Sequence, residues 1–328
     1  MHDALEQLRD RVPSLVWMPL TYANLRPLAG LVAAIEHVDD TIERHDLSFL
    51  QNLWDGAGGL PTAVVGRDKH GNVVAWAWNL TKPGDVAVRT VRLLGGVHPA
   101  WRDKGIGAAV VQWQIDAARE WDASTRRDYF GPLQITSTVE AKLDGVRELF
   151  RTHGMTDETY FLDLFRPLDP ADPPASPALP DHVELKPYLE VDGDLVRVAH
   201  NEVWAGSGAH EVGPAEWDAS IKRGAGCRML SWVAVVGRRV VGYSINSSAA
   251  MNGGLTAGWT ERIGTVPAWR GQGIGAALLQ ASAATFLEHG YIGAGVGFDT
   301  KQPDVGKSLY SGLGYEVTDA MVAHTLTG

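Results

Sequence analysis

Two glycine-rich hexapeptides in this chain have residue types that could bind an anion. The first, RDKGIG, covers residues 102–107, and the second, RGQGIG, covers residues 270–275. Each comes after an apolar, β-rich run and precedes a helical pattern, so each is predicted to expose the unpaired N–H groups of a helix start. Glycine lets a ligand approach the backbone closely, and the helix dipole favours negative charge. The sequence therefore predicts two cradles for a phosphate or pyrophosphate.

Two other kinds of glycine-rich loop are excluded by the residue types at and after the hexapeptides. A P-loop ends in Gly-Lys and then Ser or Thr, which neither copy has. A dinucleotide fingerprint needs a third glycine where this chain has Val110 or Leu278. A helix-start turn that binds nothing is a third interpretation, and the shared "PAWR…GIGAA" context makes it improbable for at least one copy.

The hexapeptides belong to a longer repeat. "GNVVAWAWNL" lies upstream of the first and "GRRVVGYSIN" upstream of the second, while "VRELFRTHGM" and "GKSLYSGLGY" lie downstream of them. Two repeats of this length indicate a duplicated domain rather than a solenoid. The proline-rich stretch "RPLDPADPPASPALPD" between them is typical of a semi-stiff spacer. We predict domains at residues 1–166 and 182–328, joined by a linker at 167–181.

Within each half the pattern predicts strand, helix, helix, a hairpin, a strand running into the hexapeptide, a long helix, and then strand, helix and strand. Such an order predicts an α/β fold: two tandem domains, each with a mixed, mostly antiparallel sheet flanked by helices.

Composition narrows the class of function. The chain has 328 residues, a formal net charge of −10 and one cysteine. An acidic chain is a poor nucleic-acid binder, and there is no apolar run long enough to span a membrane. The polar N-terminus and the lone cysteine lead us to expect a cytoplasmic protein. The histidines lack metal-ligand spacing, so no metal is expected. The negative charge is weakly in favour of a cationic substrate.

On these motifs the sequence resembles the GCN5-related N-acetyltransferase (GNAT) superfamily, whose pyrophosphate loop reads Gln/Arg-x-x-Gly-x-Gly/Ala. The resemblance covers nearly all of each half, and the tandem layout is similar to that of mycothiol synthase and related double acetyltransferases. It implies acetyl-CoA as the acyl donor. The residues that it implies for binding are Thr265, Val266, Arg270, Gly271, Gln272, Gly273, Ile274, Gly275, Ala276 and Gln302 in the second domain, and Val97, His98, Arg102, Asp103, Lys104, Gly105, Ile106, Gly107 and Ala108 in the first.

The resemblance also implies a general acid in the last helix, at the tyrosine of "SLYSGLGY", Tyr310. A phenol has a reference pKa of about 10 and stays protonated at neutral pH. The equivalent residue in the first half is Phe150, which has no proton to give. The amide of Gln302 is likewise replaced by Lys142. We therefore predict that only the second domain is catalytic, and that the first binds cofactor without turnover or serves a structural role. Of these two, we expect the first domain to retain affinity for CoA.

A general base is harder to place. Alternation along the strand predicts that Glu261 shares a face with Ile263 and Thr265, where it could take a proton from an amine through water. A surface carboxylate paired with Arg262 or another cation is the equally supported alternative. Asp299 and Trp259 are the candidates for substrate binding.

The predicted function is transfer of acetyl from acetyl-CoA to a primary amine of a small molecule, by direct attack in the second domain. A non-catalytic acyl-CoA-binding or sensing protein is the first alternative, and an acyltransferase that uses a longer acyl-CoA is the second. We expect a monomer or a homodimer.

Overall fold

The computed structural model describes residues 2–42, 44–56, 62–81, 87–175, 178–206, 210–223, 227–251, 254–300 and 307–328. They form two compact units. The first comprises residues 1–160 and 321–328, and the second comprises residues 161–320. These limits differ from the predicted ones in two ways: residues 161–181, which include the predicted linker, belong to the second unit, and residues 321–328 belong to the first.

The first unit is built on a mixed sheet with helices on its faces. Its helices are α1 (His2–Arg11), α2 (Leu25–Asp39), α3 (Leu47–Gly56), α4 (Ile106–Thr125) and α5 (Asp144–Thr152). Its strands are β1 (Val16–Pro19), β2 (Thr62–Arg67), β3 (Val73–Thr81), β4 (Arg89–Val97), β5 (Leu133–Glu140) and the start of β6 (Thr156–Pro167). Strands β1 to β4 pair antiparallel in chain order, and β4 pairs parallel with β5.

Alternation along β3 divides the core of the first unit between two faces. Trp76 and Trp78 pack with the leucines of α2, while Ala75 and Ala77 pack with Trp113 of α4. Large side chains on one face and small ones on the other let a long helix lie close to the sheet. As a result α4, which begins within the first hexapeptide, is anchored directly against β3 and β4.

The second unit repeats this arrangement. Its helices are α6 (Gly193–Trp204), α7 (Pro214–Arg223), α8 (Cys227–Leu230), α9 (Ile274–Glu288) and α10 (Lys307–Ser311). Its strands are β7 (Glu184–Pro187), β8 (Trp232–Val236), β9 (Arg239–Ala250), β10 (Thr256–Thr265), β11 (Gly293–Thr300) and the start of β12 (Glu316–Thr327). Strands β7 to β10 pair antiparallel, and β10 pairs parallel with β11.

The two faces of the second sheet are distinguished by β9. Tyr243 and Ile245 pack with the residues of α6 and α7, whereas Ser244 and Asn246 hydrogen-bond to Ser282 of α9. We call the first the α6 face and the second the α9 face. A side chain on the α6 face and one on the α9 face can meet only where the sheet opens.

The first unit is completed by the end of the chain. Residues 321–327 of β12 pair antiparallel with β5, from Met321 opposite Glu140 to Thr327 opposite Gln134. Val322 and His324 are fully buried there. Hydropathy and spacing carry no signal for such a return, so the sequence assigned this strand to the second domain. In the described part of the chain, no helix is both long and apolar enough to cross a membrane.

Candidate functional site

A cradle of free backbone N–H groups lies at the start of α9. Gly271 and Gly273 have φ values of 75° and 79°, the left-handed region that glycine adopts readily. The first helical hydrogen bond runs from Ala277 N–H to the Gly273 carbonyl, at 3.0 Å. The amides of Ile274, Gly275 and Ala276 therefore have no partner within the helix, and no side chain of the preceding residue caps them. This geometry is a ready site for a pyrophosphate.

The motif arginine of the second unit orders this turn. Arg270 Nε donates to the Thr265 carbonyl at 3.1 Å, and Nη2 donates to the Val203 carbonyl at 3.3 Å. Both partners are neutral, and no carboxylate pairs with Arg270 among the described residues. The guanidinium charge therefore stays available beside the cradle. Gln272 is exposed in the same turn.

Strand β10 parts from β11 just before the cradle. Their parallel pairing covers only Gly258–Thr260, opposite Ala294–Val296, while β10 stays paired with β9 as far as Thr265. The N–H of Val266 donates to the Val241 carbonyl at 3.0 Å, so it is not free. Alternation turns the N–H of Thr265 the other way, towards the gap that β11 has left. Thr265 and Val266 are the two residues at the end of β10 that the resemblance implies for binding, and only the N–H of Thr265 faces the gap.

The prediction that Glu261 shares a face with Ile263 and Thr265 is wrong, because a β-bulge interrupts the alternation. Thr260 lies opposite Asn246 and Arg262 opposite Ile245, which makes Glu261 the extra residue. Ile263 packs against Ile274 and Leu278 on the α9 face.

Glu261 itself is exposed and accepts a hydrogen bond from the Ser247 hydroxyl on the α6 face. The alternative pairing with Arg262 is not seen, since Arg262 donates to Ser220 and lies 5.6 Å from the ring centroid of Trp217.

The two candidate substrate residues lie on the same face as Glu261. The Trp259 ring covers Gly295, where an added Cβ would come within 2.0 Å of the indole. Asp299 is exposed on β11. It lies four residues after Gly295 and therefore on the same face of the strand. Trp259, Glu261 and Asp299 therefore line the α6 face beside the gap, where an acceptor molecule could approach.

Tyr310 approaches the gap from the other face. Its ring stacks on Phe298 with centroids 5.2 Å apart, and Leu309 lies 4.0 Å from the position of a Cβ on Gly275. Burial raises the pKa of Tyr310, so the phenol keeps its proton at neutral pH. The position of Gln302, the predicted amide partner in this region, is not described, because Gln302 lies outside the described residues. Tyr310, the predicted general acid, lies within them.

The first unit has a second, altered cradle. The first helical bond of α4 joins Ala109 N–H to the Gly105 carbonyl at 3.1 Å, which leaves Ile106, Gly107 and Ala108 N–H without helical partners. The residue equivalent to Gly271 is Asp103, which adopts a φ of 60° despite its side chain. An acid at this point opposes the binding of an anion.

Other predicted residues of the first unit are engaged elsewhere. The His98 N–H donates to the Val74 carbonyl at 2.8 Å, so only the N–H of Val97 turns towards β5. Lys104 donates to the Ala100 carbonyl and lies 4.8 Å from the centroid of Trp101.

Phe150, which is equivalent to Tyr310, is also buried in the core of the first unit. Its ring is buried beside His324, with centroids 5.2 Å apart. Strand β4 pairs with β3 without a bulge, and Leu93, which is equivalent to Glu261, is buried in the α4 core.

Sequence reasoning missed a partly buried hydrogen-bonded pair behind β10, formed by His200 and Tyr243. The Tyr243 hydroxyl lies 2.7 Å from His200 Nδ1, and it lies 2.8 Å from the position of a Cβ on Gly264. The equivalent glycine of the first unit, Gly96, faces Trp76 and Ile35 instead. The only sequence signal for this pair was Tyr243 in an apolar strand, together with Gly264 in the neighbouring strand.

Residues 228–317 match the family model described as an acetyltransferase (GNAT) domain. This part of the second unit is therefore similar to a GNAT acetyltransferase domain. The match covers the bulged strand, the cradle at α9 and the helix with Tyr310. No curated protein matches the chain in sequence.

Solved structures extend the GNAT fold to the whole chain. A GCN5-related N-acetyltransferase from Sphaerobacter thermophilus matches with a TM-score of 0.69 and 21% identity, over 96% of each chain. A tandem GNAT protein from the clavulanic acid biosynthesis pathway matches with a TM-score of 0.58 and 19% identity, over 95% of this chain and 98% of that one. At these identities the likeness is one of fold, and it confirms the prediction of two tandem GNAT-like domains. The further likeness to mycothiol synthase stays a prediction.

Proposed function

We propose that the chain transfers acetyl from acetyl-CoA to a primary amine of a small molecule, and that the second unit carries out the reaction. The single observation that carries the proposal is the bulged, splayed end of β10. It places the Thr265 amide in the gap, Glu261 on the α6 face and the α9 cradle at the strand's end. The GNAT fold supports acyl transfer in general, and acetyl-CoA is the donor that this fold typically uses.

The chain would hold the donor by its pyrophosphate and its thioester. The amides of Ile274, Gly275 and Ala276 and the charge of Arg270 would bind the pyrophosphate. The Thr265 N–H would donate to the thioester carbonyl, where negative charge develops during attack. In the described part of the chain, no group of three or more His, Cys, Asp and Glu side chains is arranged to hold a metal ion.

The proton transfers are divided between the two faces of the sheet. The amine nitrogen attacks the carbonyl carbon, a C–N bond forms and the C–S bond breaks. Glu261 takes the proton of the attacking amine through water, and Tyr310 gives its proton to the departing thiolate. Trp259 and Asp299 would hold a cationic acceptor by its apolar part and its charge.

The experiment that tests the proposal is a thiol-release assay with acetyl-CoA over a library of primary amines. Release of CoA that depends on an amine, together with a product heavier by one acetyl group in mass spectrometry, supports it. Tight binding of acetyl-CoA without release over the whole library would favour the binding-protein alternative. Release only from longer acyl-CoA thioesters would favour the other acyltransferase.

A further inference from the structure

We infer that the chain binds one acyl-CoA, in the second unit, because the equivalent cleft of the first unit is closed by residues Asp39–Ile42. We call these residues the strap. The inference rests on the proposed function, and it adds which of the two cradles holds the donor.

One end of the strap is fixed to the first cradle. Both carboxylate oxygens of Asp39 accept hydrogen bonds from Arg102, at 2.6 Å from Nη1 and 2.8 Å from Nη2. A bidentate pair of this kind is among the strongest side-chain contacts, and the Asp39 side chain is only 12% exposed. Arg102 is the equivalent of Arg270. Its charge is thus neutralised within the first unit, whereas among the described residues Arg270 bonds to carbonyls alone.

The other end of the strap is fixed to the end of β5. The chain turns at Asp40, which has a φ of 48°, and the Ile42 N–H then donates to Glu140 Oε1 at 2.7 Å. The Glu140 side chain is 4% exposed and pairs with Lys142 at 3.0 Å. Lys142 also donates to the Asp40 carbonyl. The strap therefore runs from the loop after β4 to the end of β5, across the mouth of the gap between these strands.

The interior of the same gap is bridged as well. The parallel pairing of β4 with β5 ends at Arg92 opposite Thr136. One residue further, the Ser137 hydroxyl donates to the Leu93 carbonyl at 3.2 Å. The register of β11 with β10 makes Gly297 the equivalent of Ser137. Glycine has no side chain to form this bond, so the gap of the second unit is not bridged in this way.

The cradle of the first unit is also narrowed and made more acidic. Leu149 Cδ2 lies 3.2 Å from the position of a Cβ on Gly107, compared with 4.0 Å for Leu309 and Gly275. Asp103 adds a carboxylate where the second unit has Gly271. The strap, the Ser137 bridge and the Asp103 carboxylate each oppose the binding of CoA in the first unit. Both repeats therefore keep the hexapeptide motif, but only the second unit has an open site.

The test counts bound CoA per full-length chain by isothermal titration calorimetry and compares two matched variants. Ala276→Asp and Ala108→Asp place a carboxylate at equivalent positions in the first turns of α9 and α4. An acid at a helix start is compatible with folding but repels a pyrophosphate. We expect one CoA per wild-type chain, a loss of affinity of at least about 10-fold in Ala276→Asp, and wild-type binding in Ala108→Asp.

Hydrogen exchange gives a second measurement on the wild-type chain. We expect CoA to slow exchange in residues 271–277 and to leave residues 103–109 unchanged. Two CoA per chain, protection of residues 103–109, or loss of binding in Ala108→Asp would each overturn the inference while leaving the proposed function intact. No CoA binding at all would instead remove the proposed function, and this inference with it.

Discussion

The Tyr243 hydroxyl and His200 Nδ1 form a hydrogen bond of 2.7 Å behind the strand that carries the candidate site. Burial, aided by the charge of Arg262, lowers the pKa of His200 to about 4, and burial raises the pKa of Tyr243 to about 12. Both groups are therefore neutral at physiological pH. The pair joins α6 to β9, and α6 supplies the Val203 carbonyl that holds Arg270.

This pair predicts a dependence of stability on pH. The pKa of His200 is lower in the folded chain than the unfolded value of about 6.5, so the unfolded state binds more protons between pH 4 and pH 6.5. The contribution of His200 to the free energy of unfolding is therefore complete above pH 6.5 and is lost as the pH falls towards 4. The free energy of unfolding falls by at most about 1.4 kcal/mol per pH unit, and by less where water screens the ring.

Urea unfolding across this pH range, monitored by tryptophan fluorescence, checks the prediction. The matched variant is His200→Asn, whose side-chain oxygen can accept the Tyr243 bond but does not titrate. We expect a flatter pH dependence in the variant, and parallel curves for the two proteins would show that His200 titrates normally.

Tyr310→Phe should slow the reaction without weakening donor binding. The ring stays on Phe298, and only the proton donor is removed, so kcat should fall by about 100-fold or more while the Kd for acetyl-CoA changes little. Steady-state kinetics and calorimetry measure the two effects. Tyr315→Phe is the matched control, because it removes a buried hydroxyl next to Tyr310, with ring centroids 6.1 Å apart. An equal loss in both variants would count against Tyr310 as the acid.

Glu261→Gln should lower kcat/KM by a factor that depends on the pH. A general base matters less as the solvent removes the amine proton, so a loss of about 100-fold at neutral pH should shrink as the pH approaches the pKa of the amine. The pH profile of kcat/KM measures this. Ser247→Ala, which removes the partner of Glu261, should show a much smaller loss. A ratio to wild type that is constant with pH would mean that Glu261 binds the acceptor instead.

Removal of residues 321–328 should destabilise the first unit. The deletion takes away the antiparallel partner of β5, which β12 supplies, and the fully buried Val322 and His324. We expect faster hydrogen exchange in residues 133–140 and earlier urea unfolding of the first unit, while residues 274–288 keep their protection. Deletion of Gly328 alone is the control. Unchanged protection of β5 after the larger deletion would show that this strand does not need its C-terminal partner.

The sequence alone predicted the local features of the candidate site. The glycines of 270–275, the strand before them and the helix after them are short-range features, and their backbone conformations result from glycine, proline and periodicity. The contrast between Tyr310 and Phe150 needed only the alignment of the two repeats. For the same reason the mixed sheet and most of the order of strands and helices were predicted correctly, although helix α1 before the first strand and the short helix α8 were not predicted.

Tertiary structure decided what depends on pairing between distant segments. The bulge that moves Glu261 to the α6 face exists only in the register of β10 with β9, because alternation alone assumes an unbroken strand. The return of residues 321–327 to β5 and the bond from Asp39 to Arg102 likewise join segments far apart in the chain. Side-chain type showed which groups could do the chemistry, and the register of the strands decided on which side of the sheet, and in which unit, they meet.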